Sequence, residues 1–117
     1  MHSPDLQRIE HIRDYCADIE AAVNNHRADF REFETDLEFQ YSVSFCILQI
    51  GELVGGLTKE FRNATSTRMP WGAIRGMRNM VAHGYGSMSH DILWETITVD
   101  IPNLRKYCDE LLADQPI

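Results

Sequence analysis

Three observations predict an all-α fold for this 117-residue chain, an antiparallel bundle of four main helices plus a short extra one. Apolar residues recur every three or four positions through most of the sequence. No stretch alternates apolar with polar residues, and no Asn-Gly pair marks a hairpin. The connections between the periodic segments are short, which makes consecutive helices antiparallel neighbours. The length fits one domain, residues 1–117, with no internal repeat.

The first helix begins at Ser3, where a hydroxyl N-cap is followed by Pro4 and Asp5. Leu6, Ile9, Ile12, Cys16, Ile19 and Val23 form its apolar stripe, and Asn24-Asn25-His26 ends it. Phe30, Phe33 and Leu37 predict one or two helical turns that cover the end of the core. From Asp36 to about Arg62 the spacing predicts the longest and most apolar helix, carrying Tyr41, Phe45, Leu48, Leu53, Leu57 and Phe61. Gly51, Gly55 and Gly56 interrupt it. A helical glycine costs about 1 kcal/mol relative to alanine. Three of them predict close approach of a neighbouring helix or subunit, or else a kink.

After a polar loop, Asn63 to Arg68, a helix runs from Pro70 to Ala82 or His83, with Trp71, Ile74, Met77 and Val81 inward. Gly84 and Gly86 suit a left-handed closing turn. Ser87 or Ser89 caps the last helix, which carries Ile92, Leu93, Thr96, Val99, Leu104, Cys108, Leu111 and Leu112. Pro102 falls inside it and predicts a kink or a split into two stacked pieces.

Composition excludes several classes. Apolar residues make up 44% and charged residues 25%, so the chain is neither disordered nor a membrane protein. The opening residues contain no apolar signal-peptide core, and Cys16, Cys46 and Cys108 lie among apolar helical residues. Free thiols in a reducing cytoplasm are therefore expected. No histidine or cysteine pair has zinc-ligand spacing, so neither a metal nor a cofactor is expected. The net charge is −7, unevenly spread. Residues 1–58 carry four basic and eleven acidic groups, and residues 84–117 carry two and six. Residues 59–83 hold Lys59, Arg62, Arg68, Arg75 and Arg78 against Glu60 alone. An acidic body with one basic segment suits a polyanion gripped locally.

That segment ends in R-G-M-R-N-M-V-A-H-G-Y-G, Arg75 to Gly86. Arginine is a fork for phosphate, and histidine titrates near neutrality, so Arg78 and His83 together could bind a phosphodiester and move its protons. Asn79 could hydrogen-bond either one, and Arg75 shares a face with Arg78. Glu52, a carboxylate in the middle of an apolar helix, either meets Arg75 or Arg78 or faces solvent. One difficulty is geometric. Residues five apart on a helix differ by roughly 140° in azimuth and about 7.5 Å along the axis, so Arg78 and His83 act jointly only through a bend or a second copy. On the plainer reading His83 is a helix cap, its imidazole favoured by the dipole, and the arginines are solvated.

R-N-M-V-A-H-G-Y resembles the R-x4-H-x-Y pattern of the HEPN superfamily, and the chain is similar to its HepT-like (DUF86) toxins. I-E-H-I-R-D-Y-C, S-F-C-I-L-Q-I-G-E-L, P-W-G-A-I-R-G-M-R-N-M-V-A-H and W-E-T-I-T-V-D-I-P-N-L carry the likeness in order. The resemblance implies a homodimer of helical bundles with the motifs facing a shared cleft. It further implies a metal-independent ribonuclease toxin of a type VII-like toxin–antitoxin pair. An MNT-type nucleotidyltransferase antitoxin would neutralise it by adding AMP to the motif tyrosine. By position, Arg78 would grip the phosphate, His83 would be the acid/base, and Tyr85 would be modified. The competing expectation is a non-catalytic RNA- or nucleotide-binding module whose business is complex formation with the nucleotidyltransferase.

Overall fold

The computed structural model describes residues 3–84 and 89–114, and every described element is helical. Helix α1 spans Pro4–Asn25, α2 Phe30–Thr35, α3 Leu37–Gly55, α4 Lys59–Ala64 and α5 Trp71–Gly84. Helix α6, His90–Glu95, runs through a wide π turn at Thr96–Asp100 into α7, Ile101–Ala113. The all-α bundle of long helices with short accessory pieces is what the periodicity predicts.

Side-chain caps set the helix starts. Ser3 Oγ accepts from the Leu6 amide, Asp29 from Arg31, Asp36 from Phe39, Thr58 from Phe61, and Ser89 from Asp91. Each satisfies a donor that the helix itself leaves unpaired. Asp5 reaches across to hold Thr58, accepting from its amide at 2.9 Å and its hydroxyl at 2.7 Å. That clamp, with Gly56 as C-cap, ends α3 at Gly55, so the long helix expected to reach Arg62 is two helices, α3 and α4.

Helix α1 packs against both α3 and α7, and α5 packs on α3 and borders α7 across a cleft lined by Ile74, Met77, Leu104 and Tyr107. Ile9, Ile12, Cys16 and Ile19 of α1 are fully buried against Val43, Ile47 and Ile50 of α3 and Ile97, Ile101 and Cys108 of the last segment. The α1 stripe is as the spacing predicts. Helix α3 buries only part of its apolar content. Phe39, Val43, Ile47, Ile50 and Val54 face the core, whereas Tyr41 and Phe45 are 57% and 55% exposed. Leu37, assigned to the core's end cover, is 58% exposed, and Phe33 does the covering. Helix α3 carries two apolar faces of the same period, and the one with Val43, Ile47 and Ile50 is buried.

Pro102 falls where the last helix divides, as its position predicts. It sits in the first turn of α7, and the π turn just before it absorbs the missing amide donor. Gly84 remains helical, since no described glycine has a positive φ, and Gly86 lies outside the described residues. Among the described residues, the left-handed region is used by Arg27 (φ 58°) and Ala28 (φ 51°), in the turn from α1 to α2. Ala28 N donates to Val23 O at 2.9 Å and the His26 ring nitrogen Nδ1 lies 2.7 Å from Ala22 O, which fixes that turn. None of the helices described is long and apolar enough to cross a membrane.

Candidate functional site

Helix α5 buries Ile74 and Val81 and half-buries Trp71 and Met77, so its other side faces outward. Trp71 Nε1 donates to Thr65 Oγ1 at 3.0 Å and pins the helix start to the preceding loop. Arg75, Asn79 and His83 are exposed, and Arg78 is half-buried at the boundary between the outer and packed sides. The residues expected to carry chemistry are thus presented along α5, as its apolar spacing dictates.

Arg78 is turned toward α3. Its Nη2 donates to Glu52 Oε1 at 3.1 Å, and its Nη1 donates to Asn79 Oδ1 at 3.2 Å. Of the two alternatives for Glu52, partner to an arginine or exposed carboxylate, both hold. Its side chain is 66% exposed and it pairs with Arg78, not Arg75. A pair this open to water contributes about 0–1 kcal/mol. It is a weak strut for the fold and a good guide for a guanidinium.

His83 lies on a different side. It lines an open groove of about 750 Å³ with Gly76, Asn79, Met80, Gly84, Ser89 and Ile92. No hydrogen bond joins it to Arg78, in keeping with the azimuth that separates them. Among the described residues, Asn79 belongs to both neighbourhoods, accepting from Arg78 and lining the His83 groove. Tyr85, the expected modification site, lies outside the described residues.

Sequence reasoning missed Gly51's particular role. A Cβ there would fall 2.1 Å from Arg78 Cγ and 2.4 Å from Arg78 Cβ, so the arginine stem crosses the bare backbone of α3. The close approach expected of the three glycines is found at Gly51, and at Gly56 against Arg8, while Gly55 has nothing within 4 Å. A glycine immediately before Glu52 was the one signal in the sequence.

Of the other cations in the basic segment, Arg68 pairs with Asp114 at 2.9 Å. Among the described residues, His26, Glu32 and Asp36 have the donor types of a metal site, their ligand atoms within 4.8 Å of one another. Each has a place in a helix junction. His26 stacks on Phe39 with ring centroids 4.0 Å apart, Asp36 caps α3, and Glu32 faces Arg27 at 3.3 Å. The three thiols are free. Burial pushes Cys108 up to about 12 and Cys46 to about 11, and raises Cys16 further.

The described residues form an all-α bundle that presents Arg78, Asn79 and His83 along α5. The chain belongs to the ribonuclease HepT-like family, whose model matches residues 6–111. A protein of Caldanaerobacter subterraneus subsp. tengcongensis, provisionally named as an RNase, is 36% identical over 92% of this chain and 93% of its own length. One from Methanocaldococcus jannaschii with the same style of name is 28% identical over 88% of this chain and 83% of its own. A Thermococcus cleftensis protein called probable ribonuclease HepT is 27% identical over 85% of this chain and 94% of its own. No solved structure matches.

Proposed function

We propose that the chain is a metal-independent endoribonuclease that acts in the cytoplasm, with Arg78 and His83 as its catalytic residues. The supporting observation is the placement of α5. It carries a phosphate fork held at its boundary and an accessible imidazole in an open groove, in the one basic segment of an acidic chain. RNA cleavage asks for little else. A base takes the 2′-hydroxyl proton, the 2′-oxygen attacks phosphorus to give a 2′,3′-cyclic phosphate, and an acid protonates the departing 5′-oxygen. A guanidinium stabilises the charge that builds on the phosphoryl oxygens. Asn79 and Arg75 add hydrogen bonding and positive potential alongside.

One chain offers one imidazole in this groove, set apart from Arg78. A homodimer resolves this: two copies give one imidazole as base, one as acid, and two guanidinium groups. Support for pairing comes from α3. Leu37, Tyr41 and Phe45 are spaced four apart, each more than half exposed, on the same side of the helix as Glu52. A contiguous apolar stripe of this kind marks an interaction surface. Here it leads along α3 to the carboxylate that holds Arg78.

By the family likeness, the chain is the toxin of a toxin–antitoxin pair, neutralised when a nucleotidyltransferase partner adds AMP to Tyr85. An adenylate two residues from His83 would bring negative charge and bulk to the groove and compete for Arg78. The second reading, a binding module without catalysis, draws on the separation of Arg78 from His83.

The deciding experiment incubates purified protein with RNA in EDTA. Cutting that leaves 2′,3′-cyclic ends, reduced about 10²–10⁴-fold in folded His83→Ala, is the expected outcome. RNA binding without cutting in the wild type would transfer the conclusion to the binding module. Protein made together with the partner should gain the mass of one AMP on Tyr85.

A further inference from the structure

Arg78 is held at three heights. Its stem lies over Gly51, its Nη2 is on Glu52 and its Nη1 is on Asn79. A long side chain gives up rotamer freedom to be held this way, and an exposed ion pair returns little stability for it. The arrangement is one of orientation. Among the described residues, two of the guanidinium's five N–H donors are engaged, both through the Nη nitrogens. The remaining three N–H groups share one fixed plane, suited to two phosphoryl oxygens at once.

We propose that Gly51 and Glu52 are positioning residues for Arg78. Gly51 lets the stem cross α3 where any Cβ would displace it, and Glu52 fixes the plane of the guanidinium before RNA arrives. This rests on the reading of Arg78 as the phosphate ligand. It also gives Glu52 two effects of opposite sign. As an anion beside the phosphate it weakens RNA binding, and as an acceptor for Nη2 it raises the rate of the chemical step. A residue kept only for folding has no such split.

The test separates charge from hydrogen bonding. Glu52→Ala is expected to lower KM for RNA about threefold and kcat about tenfold. Glu52→Gln loses the charge but keeps an acceptor, so it should show the same low KM with part of kcat recovered. Gly51→Ala must displace the stem and should lose kcat at least as far as Glu52→Ala. Gly55→Ala, on the same helix with open space around it, should leave both constants unchanged. Wild-type kcat in Glu52→Ala, or a rise in KM accompanying its fall, overturns the proposal.

A second readout does not depend on cleavage. In RNA-free protein, NMR should give resolved Nη signals for a restrained Arg78, averaged in Glu52→Ala. Should wild type cut no RNA, the nuclease reading fails by itself. An Arg78 head equally mobile in wild type and Glu52→Ala then overturns the positioning.

Discussion

Cys16 and Cys108 are kept protonated by burial, and Cys46, half-buried, is held up by the same cause with Asp18 adding to it. A thiol whose folded value lies above its ordinary 9.0 keeps its proton longer in the folded state. Its contribution to stability is therefore complete below about pH 9 and lost as the pH rises through the folded values. The urea midpoint should fall between about pH 9 and about pH 11, and alkylation of native protein near pH 8 should reach Cys46 first, with Cys16 and Cys108 reacting only on unfolding. Rapid labelling of Cys16 in folded protein would contradict that burial. At this scale the sequence was legible where chemistry is local. The shared helix of Arg78, Asn79 and His83 follows from its period, and the environment of each thiol from its apolar neighbours. Gly51 was not, because its role is written 27 residues away in Arg78, and only the α3–α5 crossing joins them.

Helices were legible in their periods and less so in their ends and inward faces. The buried face of α3 went to Val43, Ile47 and Ile50 instead of Tyr41 and Phe45. Both sets fit a helical repeat, so periodicity has no means of choosing between them. Ends follow from contacts distant in sequence, as when Asp5 caps a break at Thr58. The same holds for α2, whose last carbonyls depend on α3. Buried Gln40 donates through Nε2 to Phe33 O at 2.8 Å and Glu34 O at 3.1 Å. Gln40→Leu preserves size and removes those donors. We expect it to cost about 1–3 kcal/mol in urea unfolding and to speed hydrogen exchange across Phe30–Thr35. Unchanged exchange there would mean that α2 is secured by Phe33 alone.

For the molecule as a whole, the class and the charge partition could be taken from the sequence, and the apolar face turned to solvent could not. Leu37, Tyr41 and Phe45 look like core until the structure turns them outward. If this face pairs two copies, Phe45→Glu buries a charge against apolar surface and should leave monomers by light scattering, with the fold retained by circular dichroism and RNA cutting lost. A dimer that survives the substitution would place the contact elsewhere. His83→Ala should remain dimeric, because that residue lies on α5 and not on this stripe. Phe45 and Glu52 are seven residues apart on α3, about 10 Å or two turns of one rigid rod. If the proposed pairing and phosphate grip hold, meeting a second copy and steadying that grip are tasks of a single helix. While copies are sparse, the amount of competent enzyme would grow as the square of the chains made, so a small drop in synthesis would silence it far more than in proportion.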